Sequence, residues 1–172
     1  MRLKLLFLLL VLGVMAVPAA HAQAAVYASF SGATLTEPYE PYIYGPTFGA
    51  YVQSTHFAFL GLGVDARGFV LNGDNGNETF EGGMAGPRLA VRPKVVPLQP
   101  YVEVLGGVAH AELGQGVART VHTGAAMEGL VGLDYTIIPH VDWRAIEYTF
   151  YGKEQSAGLT YRALSTGIVL RF

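Results

Sequence analysis

Along most of this chain apolar residues recur at every second position, in short segments punctuated by Gly and Pro, and that periodicity dictates a sheet. A strand sends successive side chains to opposite faces, so a period of two gives each strand one apolar and one mixed face. Near the C-terminus Leu164, Ile168, Leu170 and Phe172 share one parity with Thr166, while Ala163, Ser165, Gly167, Val169 and Arg171 take the other. Met127, Val131, Leu133 and Tyr135 likewise oppose Gly124, Ala126, Glu128, Gly132 and Asp134. Leu62, Val64 and Val70 oppose Gly61, Gly63, Asp65 and Arg67, and Val102, Val104 and Val108 oppose Glu103, Gly107 and Ala109. Eight segments read as strands: residues 26–36, 47–54, 60–71, 81–91, 100–113, 123–135, 141–152 and 159–172. An even number is what a closed antiparallel barrel with both termini at one end requires.

The first residues carry a different message. Arg2 and Lys4 precede an unbroken apolar run from Leu5 to Val17, followed by Pro18 and Ala20-His21-Ala22. A basic start, an apolar stretch and an A-x-A site make a secretory signal peptide over residues 1–22, with cleavage expected after Ala22. Thirteen residues at 1.5 Å each would reach only about 20 Å, short of the hydrocarbon core of a bilayer. The rest of the chain, residues 23–172, reads as one domain. Without Arg2 and Lys4 it holds 9 basic against 13 acidic residues, a net charge of -4 against -2 for the whole chain. That balance argues against a nucleic-acid partner, which would need a basic stripe.

Cysteine is absent, so an exported chain of this kind is held by its core, a metal or a membrane. Beyond the signal no apolar run approaches the length of a membrane helix. If the chain crosses a membrane it therefore does so as a closed sheet, the other structure that satisfies its backbone in lipid. Eight strands leave a lumen that side chains just fill. Small residues beside the charges suit an inverted arrangement, apolar outside and polar within, with room for Arg and Glu to cross the bore. The expected fold is an all-β, eight-stranded, antiparallel up-and-down transmembrane barrel in the cell outer membrane. Segments 55–59, 92–99 and 136–140 read as short periplasmic turns, and 37–46, 72–80, 114–122 and 153–158 as longer outward loops.

One segment changes parity partway. Val141 and Trp143 are odd, whereas Ile146, Tyr148 and Phe150 are even. One extra residue near Ala145, a β-bulge, reconciles the halves and turns both Arg144 and Glu147 inward.

The run Val141-Asp142-Trp143-Arg144 and the ending Ser165-Thr166-Gly167-Ile168-Val169-Leu170-Arg171-Phe172, with the signal and the eight short strands, resemble the small outer-membrane β-barrel domain family related to the membrane domain of OmpA. The resemblance implies that Ile168, Leu170 and Phe172 form the C-terminal signal read by the barrel-assembly machinery. It implies no shared biochemical activity, so it bears on fold and location more than function.

Candidate chemistry is sparse. His56, His110, His122 and His140 fall on different segments without metal-ligand spacing, so neither metal nor cofactor is expected. Asn72 to Glu78 is acidic and Gly-rich but lacks the spacing of a calcium loop. A lipid-modifying enzyme would need a nucleophile and a base in contact, and no His-x-Ser pair occurs. Tyr39, Tyr42 and Tyr44, in a Tyr- and Pro-rich outward loop, read as a contact surface or, preferably, as an interfacial aromatic girdle. The inward charges Asp65, Arg67, Arg88, Glu103, Glu128, Arg144 and Glu147 read as a salt-bridge network plugging the lumen, with an ion path as the alternative. Arg88 and Glu103 lie at equal distances from one turn and are expected to pair. The expected role is structural or surface-interacting, by a lipid-embedded monomer without catalysis; a narrow pore is the second reading.

Overall fold

Alternating faces close on themselves here. The computed structural model describes residues 22–36, 42–57, 59–73, 78–93, 95–114 and 119–172. The strands are β1 (Ala22–Thr36), β2 (Tyr42–Phe57), β3 (Leu60–Gly73), β4 (Thr79–Val91), β5 (Leu98–Leu113), β6 (Thr120–Ile138), β7 (Val141–Glu154) and β8 (Thr160–Arg171). Each pairs antiparallel with the next and β8 returns to β1, giving a closed eight-stranded barrel. Ala22 opens β1, and the rest of the expected signal peptide lies outside the described residues.

All strands but β8 outrun their expected ends, and the outward connections shrink accordingly. Tyr42, Ile43 and Tyr44 belong to β2, alternating out, in and out. Tyr42 and Tyr44 are therefore strand residues on the exterior, not loop residues, and Tyr39 lies outside the described residues. Pro46 had suggested a loop because it lacks an N–H. It is accommodated by leaving the β2–β3 ladder open between Tyr44–Asn72 and Thr47–Phe69 while β1 still pairs across Phe30–Pro46. The same device recurs at Gly86-Pro87, where the β4–β5 ladder is open between Ala85–Gly106 and Arg88–Glu103. In both pairs the Gly is needed for close approach: a Cβ on Gly45 would stand 2.0 Å from the Val70 carbonyl oxygen, and one on Gly86 2.0 Å from that of Val104.

Ala145 is the inserted residue of a bulge. Arg144 faces Gly167 of β8, the next pairing is Glu147 with Ser165, and β6 shifts register at Leu133/Asp134 opposite the same place. A second irregularity between Thr149 and Gly152 was not foreseen. At the tight turn before β7, His140 has φ of 71°, the left-handed region that His tolerates better than branched residues. The Arg171 amide donates to the His140 carbonyl at 2.8 Å, which ties this turn to β8.

The exterior is apolar. Val64, Val108, Phe30 and Leu62 are each about 60% exposed. Among the described strand residues, the outward charges are Glu81, Glu112, Lys153 and Arg162, all within three positions of a strand end on the loop side. Below them, the ten steps from Leu60 to Val70 along a tilted strand rise roughly 25 Å. That matches the apolar band of a membrane barrel.

The interior has two layers, and only one was expected. Towards the loop end Leu35, Ile43, Leu71, Phe80 and Leu159 are buried, with Phe69, Leu105, Leu130 and Tyr161 beneath them. Phe80 packs on Phe69 at 5.1 Å and edge-on to Tyr161 at 5.0 Å. The expectation of charges and small residues in the lumen left this layer out: the outer part of the bore is closed by apolar packing, and the ionic cluster lies below it.

Candidate functional site

Six of the seven predicted inward charges meet in one ionic cluster. Arg67 on β3 reaches Asp65 at 3.4 Å, Glu103 at 2.6 Å and Glu147 at 2.7 Å. Arg88 on β4 bonds Glu103, its direct cross-strand partner, and Asp134 at 3.1 Å. Arg144 on β7 bonds Asp134 at 3.2 Å and Glu147 at 3.1 Å. That last contact exists because the bulge puts residues three apart on one face. Glu128 is the exception: it forms no ion pair in the cluster and accepts a hydrogen bond from the Tyr161 hydroxyl at 2.8 Å. Asp134, absent from the expected network, joins Arg88 to Arg144. Its parity with Glu128 was the available signal.

Tyrosine rings separate the guanidinium groups. Arg88 lies between Tyr51 at 4.2 Å and Tyr101 at 3.6 Å, and Arg144 stacks on Tyr27 at 4.0 Å. The same rings end in useful hydroxyls: Tyr27 donates to Asp65 at 2.8 Å and Tyr101 to Glu147 at 2.6 Å. Stacking on a ring face offsets part of the cost of burying each cation. Arg88, Arg144 and Glu103 are fully buried, so water screens these pairs little.

Three inward glycines make room for tyrosine rings, where the sequence had suggested room for Arg and Glu. Tyr27 lies over Gly49, Tyr101 over Gly132 and Tyr161 over Gly152, each the cross-strand partner of the other. A Cβ on Gly132 would fall 2.2 Å from Tyr101 Cζ, and that ring is held by Glu147 and two guanidiniums. Gly132→Ala is expected to cost about 1–3 kcal/mol as overpacking. Gly106→Ala, outward with nothing near its added Cβ, should stay within about 0.5 kcal/mol. Urea midpoints of the two variants in lipid vesicles compare them directly, and equal midpoints would refute the role given to Gly132.

Below the cluster a second polar group narrows the end opposite the loops. Arg171 pairs with buried Asp142 at 2.7 Å. Arg92 donates to Gln99 at 2.8 Å, and Gln99 to Gln53 at 3.4 Å. Ile168, Leu170 and Phe172 are all outward and exposed, and the Phe172 amide closes the barrel onto the Ala24 carbonyl at 2.8 Å.

On the exterior near the loop end, His110 Nδ1 meets Thr123 Oγ1 at 2.7 Å and Nε2 meets Glu112 at 3.3 Å. Sequence reasoning missed this row because Thr123 and His110 are neighbours across β5–β6, not along the chain. Among the described residues no group of three acidic or His side chains is placed to hold a metal.

No protein-family model matches the chain. No curated protein matches it in sequence. Solved structures do match in fold. Ail, the attachment invasion locus protein of Yersinia pestis, superposes with a TM-score of 0.60 at 11% identity, over 88% of this chain and 99% of that one. The same protein in complex with the heparin analogue sucrose octasulfate gives 0.53 at 12% identity, over 88% and 99%. Neisserial surface protein A gives 0.57 at 17% identity, over 87% and 97%. The chain therefore has the fold of the small eight-stranded outer-membrane barrels, as the resemblance in its sequence implied.

Proposed function

We propose that this chain, built on the fold of the small outer-membrane barrels, resides in the outer membrane as a closed, non-catalytic barrel that acts as a structural or surface-interacting protein. The observation that carries this reading is the filled lumen: an apolar layer at the loop end above three arginines locked to four carboxylates. The cavity between them has a volume of about 20 Å³, room for about one water molecule. An ion path would need these pairs to part, which leaves charge uncompensated in a low-dielectric bore. Export by the N-terminal signal, assembly through the C-terminal aromatic and a monomeric state belong to the same proposal.

The outward face also bears on the partner. The segments joining the strands at the loop end contribute Glu37, Glu40, Asp74 and Glu78 against Arg119. A surface of that sign disfavours a sulfated polysaccharide, such as the heparin analogue bound in the Ail complex, and favours a neutral or cationic contact.

A second reading, acyl-ester hydrolysis at the membrane boundary, rests on the Thr123–His110–Glu112 row. It is the weaker one. Arg119 pairs with the second carboxylate oxygen of Glu112, and the β5 and β6 amides beside Thr123 are committed to the ladder, which leaves no converging donors for an oxyanion.

Reconstitution into planar bilayers tests the main reading. The purified barrel should give no discrete conductance steps, and the lipid A of cells expressing it should keep its mass. Reproducible single-channel steps would replace the plug by a pore, and a change in lipid mass would replace it by an enzyme.

A further inference from the structure

We infer that the cavity between the apolar layer and the arginine cluster is a binding site for one small monovalent cation, held chiefly by Glu128. Three observations converge there. Glu128 lines the cavity, is only 6% exposed, and its Oε2 has no hydrogen-bond partner, while Oε1 takes the Tyr161 hydroxyl. Beside it stands a chain of hydroxyls, Ser31 bonded to Thr47 and to Ser165 at 2.8 Å each. Thr149 adds another hydroxyl to the lining. Carboxylate and hydroxyl oxygens without nitrogen or sulfur donors suit a hard cation.

Charge points the same way. Asp65, Glu103, Glu128, Asp134 and Glu147 face Arg67, Arg88 and Arg144, an excess of two carboxylates in the cluster and the cavity above it. Arg67 also lines the cavity, but its Nε, Nη1 and Nη2 are engaged by Asp65, Glu147 and Glu103. It cannot turn to neutralise Glu128 without releasing one of them. Size and charge select the ion class. About 20 Å³ holds one sphere the size of a water molecule, which admits sodium and excludes an organic cation such as choline. A divalent ion would want more carboxylates or retained waters than one free oxygen and this volume supply.

The test is refolding into lipid vesicles in sodium, potassium or choline chloride at equal concentration and pH, followed by urea unfolding. The wild-type midpoint should be higher in sodium than in choline by roughly 0.5 M urea, as binding to the folded state alone requires. Glu128→Gln, which keeps the shape and can still accept from Tyr161, should fold in choline and lose that gap. Should it not fold, Ser165→Ala removes one oxygen and should shrink the gap. Equal wild-type midpoints in the three salts would overturn the site, as would a sodium gap that survives Glu128→Gln or, in its place, Ser165→Ala.

Discussion

Arg88→Met should destabilise the barrel by about 3–5 kcal/mol, the cost of removing one partner from a buried ionic group. Arg88 is fully buried, bonds both Glu103 and Asp134, and fills the gap between the Tyr51 and Tyr101 rings. Without it Glu103 keeps only Arg67, and Asp134 keeps only Arg144. Parity and equal distance from the turn pair Arg88 with Glu103, and if that pair stood alone Glu103→Leu would restore much of the loss. The network changes that expectation. Glu103→Leu in the Arg88→Met background relieves one stranded carboxylate but withdraws a partner from Arg67, so recovery should be partial. Adding Asp134→Asn should bring the triple variant closer to wild type than the double. Urea unfolding in vesicles, analysed as a three-site mutant cycle, reads these steps. Strict additivity would mean that the three residues do not interact, and uniformly small single effects would mean a hydrated, screening lumen.

How much of this was legible follows from what a period of two encodes. It assigns each side chain to a face, so Asp65 and Arg67 were correctly set against Leu62 and Val64, and the parity break in β7 located the bulge at Ala145. Parity carries no information about height. Phe69, Leu71 and Phe80 share the inward face with the charges, and nothing in the alternation marks them as a separate apolar layer. Contacts across strands depend on register, set by turns and bulges far from either partner. Tyr101 over Gly132 and His110 beside Thr123 were therefore invisible, although every residue involved had been assigned to a strand. Strand ends failed for a local reason. Pro46 signals a loop in isolation, and only the closed barrel, with β1 pairing past it, lets β2 run on to Tyr42.

Deleting Ala145 should have a larger effect still, because it changes which face half a strand presents. Arg144 and Glu147 are three residues apart and would point to opposite sides of an unbroken strand. The inserted residue lets both turn inward, where Arg144 bonds Asp134 and Glu147, and Glu147 bonds Arg67. Without it the chain has two choices. Residues 141–144 can flip, sending Asp142 and Arg144 into lipid and the Trp143 ring into a bore already filled by Tyr27 and Tyr101. Alternatively residues 146–149 can flip, exposing Glu147 and Thr149 and forcing Ile146 and Tyr148 inward. An arginine on the lipid face costs up to about 2–4 kcal/mol, less towards the boundary, and the deserted partners in the lumen add the penalty of an uncompensated buried charge, about 3–5 kcal/mol. Together these approach the whole stability of a small domain, about 5–15 kcal/mol. The deletion variant should therefore fail to give the faster-migrating folded band of an unboiled gel sample, whereas Ala145→Ser, which keeps the residue count, should give it. A deletion variant that refolds with the wild-type urea midpoint would show that the second irregularity, between Thr149 and Gly152, absorbs the lost residue, and that the register of β7 is set there and not at Ala145.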